Sequence, residues 1–336
     1  MVAPQYSDVG SRSDLPLVSL AEIRDAAERL RGIAVRTPLL AFPAAGAAAW
    51  LKPESLQPVG AFKIRGAYVA IARLPEETRR RGVVTHSSGN HAQGIARAAR
   101  LLGVPAIAVM PDNAPALKVA RTKADGAEVI FSGPAPDQRV EVAHRIAAER
   151  GMALISSYDD RDIIAGQGTV GLEIAEDVPP GPLTVFVPVS GGGLASGVAA
   201  ALKGMRDEVR VIGVEPELAA DARDSLREDR IVRWPAEETG RTMADGLRVT
   251  ALGHITFAHL RAHLDEILTV SEAEIAEAMR TLAADARLVA EPSGAVAPAA
   301  QLREHRTLAA GTSVAVVSGG NVDPMLYAAI LAGTNP

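Results

Sequence analysis

Short apolar runs recur along this chain at Val83–Thr85, Ala106–Met110, Glu128–Phe131, Ala153–Ile155, Thr184–Val189, Val209–Val214 and Ser313–Val317. Helix-forming stretches such as His91–Leu102, Ala116–Asp125 and Gln138–Arg150 separate most of them. Continuously apolar strands that alternate with helices have no face to offer water, so they demand parallel sheets covered by helices on both sides. There are too many strands for one small sheet, and 336 residues suffice for two cores. We read two α/β units, one over residues 55–155 and one formed by 1–54 with 156–336. Hydrophobic residues make up 48% of the chain but aromatic ones only 3%, so the cores are built from Ala, Val, Leu and Ile. Ser19-Leu-Ala-Glu22 and Ser271-Glu-Ala-Glu274 are capping boxes. The first opens a helix that buries Ile23, Ala26, Ala27 and Leu30 and ends at Gly32; the second opens one that runs to about Ala286.

Charge and cysteine content narrow the function. A net charge of −5 gives no footprint for nucleic acid or an anionic membrane. With no cysteine, disulfides, thiolate metal sites and a Cys nucleophile are excluded. Residues 1–16 carry no basic and apolar signal pattern, and no uninterrupted apolar run is long enough to span a bilayer. A soluble cytoplasmic protein is expected.

The chain has only five lysines: Lys52, Lys63, Lys118, Lys123 and Lys203. Arginine, which carries nearly all the other positive charge, cannot lose its proton at useful pH, whereas a desolvated lysine can. Lys63 stands between Phe62 and Ile64 with Gly60 and Gly66 close by. That setting suits Schiff-base chemistry. It equally suits a helix-start lysine whose amine snorkels to water.

Three loops follow strands, where open α/β sheets place their ligands. In Thr85-His-Ser-Ser-Gly-Asn-His-Ala-Gln-Gly94, the side chains of Ser87, Ser88 and Asn90 and the backbone of the turn exceed what a helix cap needs. Such a cluster suits a carboxylate or phenolic oxygen. In Ser190-Gly-Gly-Gly-Leu194, backbone amides can close on an anion at a helix N-terminus. The spacing matches neither the dinucleotide fingerprint nor the Walker loop, which leaves a phosphate cradle of another kind. Ser318-Gly-Gly-Asn321 offers a hydroxyl to a ring nitrogen, or simply makes a tight turn. Glu215 and Asp221 form either an oxygen-ligand site for Mg²⁺ or Ca²⁺ or a pair of solvated carboxylates.

Taken in order, Gly60-Ala-Phe-Lys-Ile-Arg-Gly-Ala67, Ser87-Ser-Gly-Asn-His-Ala-Gln-Gly94, Ile164-Ala-Gly-Gln-Gly-Thr169, Ser190-Gly-Gly-Gly-Leu194, Ala244-Asp-Gly-Leu247, Glu291-Pro-Ser-Gly294 and Ser318-Gly-Gly-Asn321 resemble the serine/threonine dehydratase and serine racemase family. These are pyridoxal-phosphate enzymes of fold-type II. The motifs span residues 35–323.

The resemblance implies two open twisted α/β/α domains of tryptophan synthase β-like architecture, with the active site in the cleft between them. It implies that Lys63 links covalently to pyridoxal 5′-phosphate, that Phe62 backs the ring, and that Asn90 meets its 3-hydroxyl oxygen. Ser190, Gly191, Gly192, Gly193 and Leu194 would hold the phosphate, Ser318 would meet the pyridine nitrogen, and Gly246 and Glu291 would complete the cofactor site. Ser87, Ser88, Gly89, Asn90 and His91 would bind the substrate carboxylate. Glu215, the Ala219 carbonyl and Asp221 would hold Mg²⁺, Ca²⁺ or Mn²⁺. A homodimer acting on a small amino acid is expected.

The implied activity is an ammonia-lyase that converts a serine- or threonine-like β-hydroxy L-amino acid to a 2-oxo acid and ammonia. Ser88 stands where many threonine dehydratases have Ala and serine racemases have the serine acid/base, so racemisation is the alternative. Tyr158-Asp-Asp160 resembles the dehydratase pattern and adds Tyr158 to the substrate side. Arg139 aligns with an arginine near the active-site mouth of serine racemase-like relatives; pointing inward it would favour an acidic substrate such as 3-hydroxyaspartate, and pointing outward it is an ordinary surface helix arginine. Cysteine synthase-like chemistry fits less well, because those relatives carry different segments at these places. A catalytically silent ligand-binding regulator is the non-enzyme alternative, opposed by the joint retention of Lys63, Asn90, the glycine loop and Ser318.

Overall fold

The computed structural model describes residues 16–87, 89–114, 116–133, 136–305 and 311–334, with the side chains of 136 and 137 left aside. Ten strands form two sheets: β1 (Leu40–Ala41), β2 (Ala49–Pro53), β3 (Val83–His86), β4 (Ala106–Pro111), β5 (Glu128–Ser132), β6 (Ala153–Leu154), β7 (Leu183–Pro188), β8 (Val209–Pro216), β9 (Glu266–Val270) and β10 (Thr312–Val317). The larger sheet runs β1-β2-β10-β7-β8-β9 and the smaller β5-β4-β3-β6. All neighbours are parallel except the β1–β2 pair, which is antiparallel.

The apolar runs inside the sheets become the buried strands they predict, because helices cover both of their faces; the runs at Glu128–Phe131 and Ala153–Ile155 instead form the edge strands β5 and β6, where Phe131 is exposed and Ala153 and Leu154 are half-buried. In β10, Val314 and Val316 enter one core while Ala315 and Val317 enter the opposite one. The same split divides Val185 and Val187 from Phe186 in β7. Helices Arg161–Asp177 and Gly193–Met205 cover one face; Glu272–Thr281, Pro292–Glu304 and Pro324–Leu331 cover the other. The smaller sheet has helices Lys63–Arg73 and Asn90–Leu102 on one face and Pro136–Arg150 on the other. Both are three-layer α/β/α arrangements.

Both capping boxes form, at Ser19/Glu22 and Ser271/Glu274. The first helix stops at Arg29, short of Gly32, whose φ is +74°. The second is α-helical to Thr281 and continues as a π-turn over Leu282–Ala286. Strands β1, β2 and β9 lay outside the sequence reading. No helix among the described residues is long and apolar enough to cross a membrane.

Because the strands within each sheet are parallel apart from β1, the loops after β7, β8 and β10 leave the larger sheet at one edge, and the loop after β3 leaves the corresponding edge of the smaller. That is where the polar and glycine-rich motifs lie.

Candidate active site

Lys63 opens the helix Lys63–Arg73, and Phe62 precedes it without capping it. The segment ahead is stitched to the loop after β10. Phe62 N–H donates to the Ser318 carbonyl at 3.1 Å, Gly320 N–H donates to Gly60 at 2.8 Å, and Ala61 pairs with Gly319. The Lys63 amine lies 4.8 Å from the centre of the Phe62 ring and donates to the Ser157 carbonyl at 2.9 Å. No carboxylate pairs with it among the described residues. Burial therefore pushes its pKa down to about 8.

Asn90 begins the helix Asn90–Leu102 and joins both sheets. Its Nδ2 donates to Glu291 Oε1, and its Oδ1 accepts from Asn321 Nδ2 at 2.8 Å. Asn321 Oδ1 in turn accepts from Arg121 Nη1 at 2.5 Å. Glu291 is buried, its second oxygen has no hydrogen-bond partner among the described residues, and burial followed by the Asp245 charge raises its pKa to about 7. Lys118 donates to Asp245 beside this group. Ser318, at the end of β10, is buried and donates to the Ser293 carbonyl at 3.2 Å. Ser293 Oγ accepts from Gly246 N–H at 2.9 Å, and Ser190 Oγ donates to the Gly246 carbonyl at 3.4 Å. Ser318, Ser293, Gly246 and Ser190 are thereby linked.

The glycine loop bends from β7 into helix Gly193–Met205. Ser190 has φ +56° and Gly192 φ +91°. The positive φ at a serine costs about 1 kcal/mol or more, and such strain clusters at ligand clamps. A Cβ at Gly191 would lie 2.4 Å from the Tyr158 ring. Among the described residues no side chain caps this helix start, which leaves its positive dipole end available to an anion. Leu194 is buried in the core beneath.

Other expected residues fall into two groups. Tyr158 packs on the glycine loop, and its hydroxyl donates to the Ala251 carbonyl at 3.5 Å; this sets it beside the anion cradle. His91 is buried, and desolvation followed by the Lys63 charge holds its pKa well below the usual value. Burial therefore favours the neutral form of this ring. Ser87 Oγ accepts from Gly89 N–H at 3.2 Å, which shapes the turn. Ser88 lies outside the described residues. Arg139 Nε is buried without a partner, and no carboxylate pairs with the guanidinium among the described residues. Its charge acts on His86 at the end of β3.

Glu215 and Asp221 are fully buried at the end of β8 and the start of the next helix. Glu215 accepts from Ala222 N–H at 3.4 Å and Arg223 N–H at 2.9 Å, while neither Asp221 side-chain oxygen has a partner among the described residues. Burial raises both carboxyl pKa values, that of Asp221 to about 7; for Glu215 the Asp221 charge adds to it. Ala219 is buried between them in the loop.

Sequence reasoning missed the Ser157 carbonyl, Ser293, and the cross-sheet contacts of Lys118 and Arg121. The scarcity of lysine is the one signal that points to Lys118.

Comparison with known proteins agrees with this geometry. Residues 30–319 match the family model described as pyridoxal-phosphate dependent enzyme. The L-threonine ammonia-lyase of Thermotoga maritima is 45% identical over 91% of this chain and 76% of its own length. The L-threo-3-hydroxyaspartate ammonia-lyase of Saccharomyces cerevisiae is 41% identical over 99% of this chain and 98% of its own. The structure of maize serine racemase superposes with a TM-score of 0.88 at 38% identity, covering 95% of this chain and 98% of that one. With sheets, loops and lysine in this arrangement, the chain belongs to the pyridoxal-phosphate dependent enzyme family, in its fold-type II form.

Proposed function

We propose that the protein is a pyridoxal-phosphate-dependent ammonia-lyase that turns a serine- or threonine-like β-hydroxy L-amino acid into a 2-oxo acid and ammonia. The observation that carries this reading is the desolvated amine of Lys63, which has no carboxylate partner among the described residues and lies on the segment stitched to Ser318. The site is read as the cleft between a small unit, residues 55–155, and a large unit made of the rest; the Asn90–Glu291 and Arg121–Asn321 contacts that cross it support this.

The residues fit the cofactor. Gly191 lets the loop pack directly on the Tyr158 ring, and the start of helix Gly193–Met205, without a side-chain cap among the described residues, suits a phosphate. Ser190 to Leu194 would hold that phosphate, Phe62 would back the ring, and Asn90, Gly246, Glu291 and Ser318 would line its edge. When bound, pyridoxal phosphate supplies an electron sink conjugated to the substrate Cα. The chain supplies the proton handling. With a pKa of about 8, Lys63 Nζ is deprotonated often enough near neutrality to take the Cα proton. The Ser157 carbonyl orients that nitrogen. Ser87 and the N–H groups of the turn at Gly89 would receive the substrate carboxylate. Ser318 presents a neutral hydroxyl, not a carboxylate, where the ring nitrogen would lie.

A second reading, 3-hydroxyaspartate as substrate, is favoured by Arg139. Its guanidinium has no acid partner among the described residues and acts on the strand that leads into the substrate loop. Serine racemisation through Ser88 is the remaining alternative. Glu215, Asp221 and the Ala219 carbonyl would bind Mg²⁺ or a like cation; the orphaned, buried oxygens of Asp221 support this. A homodimer is also part of the proposal.

The test is a panel of L-serine, L-threonine and L-threo-3-hydroxyaspartate, assayed for 2-oxo acid, ammonia and enantiomer exchange, with and without Mg²⁺. We expect 2-oxo acid and ammonia in equal amounts. Arg139→Met should lower kcat/KM for hydroxyaspartate by about 10-fold or more while sparing serine, if the acidic reading holds. Absence of 2-oxo acid from every member would refute the lyase.

A further inference from the structure

The segment that carries Lys63 also carries charges that the reaction leaves unused. Arg65, Glu54 and Lys52 are at most 1% exposed. Arg65 Nε and Nη2 donate to Glu54 Oε2 and Oε1 at 2.8 Å each. Its Nη1 and Nη2 donate to Glu173 Oε1 at 2.6 Å and Oε2 at 3.0 Å. Lys52 Nζ lies 2.6 Å from Glu173 Oε2 and donates to the Thr37 carbonyl at 2.6 Å. Thr37 and Gln57 donate to the two Glu54 oxygens at 2.8 and 3.1 Å. Two cations and two carboxylates close a neutral, buried cluster.

Stability alone is a weak reason for such a group, since apolar residues of similar volume often serve as well. A planar guanidinium gripped from two sides does something they do not: it sets the rotation and height of its helix. Arg65 is two residues from Lys63, in the first turn. That helix start has no side-chain cap and no acidic residue in its first turn, so local sequence does little to hold it. Glu173 lies on helix Arg161–Asp177, which Asp159 and its N-cap Asp160 join to Ser157 and Tyr158. The two helices touch backbone to backbone: a Cβ on Gly166 would lie 2.6 Å from the Gly66 Cα. The amine of Lys63 and the carbonyl that receives it are therefore held by two helices that this cluster joins, with Lys52 on β2 and Glu54 just after it tying both to the larger sheet.

We propose that Lys52, Glu54, Arg65 and Glu173 are positioning residues for the Lys63 amine, fixing it on the Ser157 carbonyl at the cofactor. The proposal rests on the lyase reading above. It is tested on the holoenzyme with Arg65→Met/Glu54→Gln, which removes one charge of each sign and keeps the Lys52–Glu173 pair, and with Arg65→Lys, which keeps charge without the fork. Four readouts are compared: thermal unfolding, the pH midpoint of the cofactor's visible band, borohydride trapping at Lys63, and kcat with KM separately. The expected result is cooperative unfolding, a shifted band midpoint, and a kcat lowered about 10²-fold with KM within about 3-fold. Wild-type kcat and band midpoint in either folded variant would overturn the positioning role. If the double variant does not fold, Arg65→Lys decides by the same readouts. Wild-type protein with neither band nor trapped Lys63 would instead overturn the lyase reading.

Discussion

The chemistry of Lys63 comes from where its amine is placed. Its pKa is depressed because the half-buried amine loses part of its water and, among the described residues, meets a carbonyl and the Phe62 ring but no carboxylate. The sign of the consequence for stability is definite. In cofactor-free protein the folded pKa is about 8 and the unfolded one 10.5. Between these values the unfolded chain holds a proton that the folded chain has released, so stability rises with pH through that window. Below pH 8 the folded protein carries an ammonium that partial burial disfavours. Cofactor-free Lys63→Met should therefore melt higher than cofactor-free wild type at pH 7, with the gap narrowing by pH 10. An unchanged gap, or a less stable variant at pH 7, would show that the amine is not desolvated. Sequence singled out Lys63 by the scarcity of lysine and Asn90 by its cluster of polar neighbours, while the role of Ser318 came from the resemblance of its motif. It did not reveal the Ser157 carbonyl or the Glu291 partner of Asn90, since those contacts span 94 and 201 residues.

At the scale of elements, strands covered on both faces were legible as continuous apolar runs, and helix starts as capping boxes. Strand β2, Ala49–Pro53, was not, because Lys52 and Pro53 argue against a strand. Lys52 is tolerated there only because Glu173 and the Thr37 carbonyl satisfy its amine. Strand β9 lies at a sheet edge and is only half-buried over most of its length, so its pattern is weak. The glycine loop was legible in composition, and the structure adds the reason for its first glycine, the Tyr158 ring 2.4 Å from where a Cβ would be. Gly191→Ala should displace Tyr158 or the loop and cost one charge-assisted hydrogen bond to the cofactor phosphate. That corresponds to about 2 kcal/mol, or roughly 30-fold in the cofactor Kd. An absorbance titration that gives the wild-type Kd would contradict this account of the cradle.

Across the whole molecule, the two sheets are joined around the site by Asn90–Glu291, Asn90–Asn321, Arg121–Asn321 and Lys118–Asp245. None of these pairs is close in sequence, so no local pattern announces them, whereas the order of motifs along the chain did announce the family. Everything in the functional account converges on one nitrogen among five lysines. The decisive measurement is to reduce the purified, cofactor-loaded protein with borohydride and map the adduct by peptide mass. The account predicts a visible absorbance band before reduction and a single pyridoxyl adduct on Lys63. A colourless protein after incubation with pyridoxal phosphate, or an adduct confined to Lys52, Lys118, Lys123 or Lys203, would contradict it.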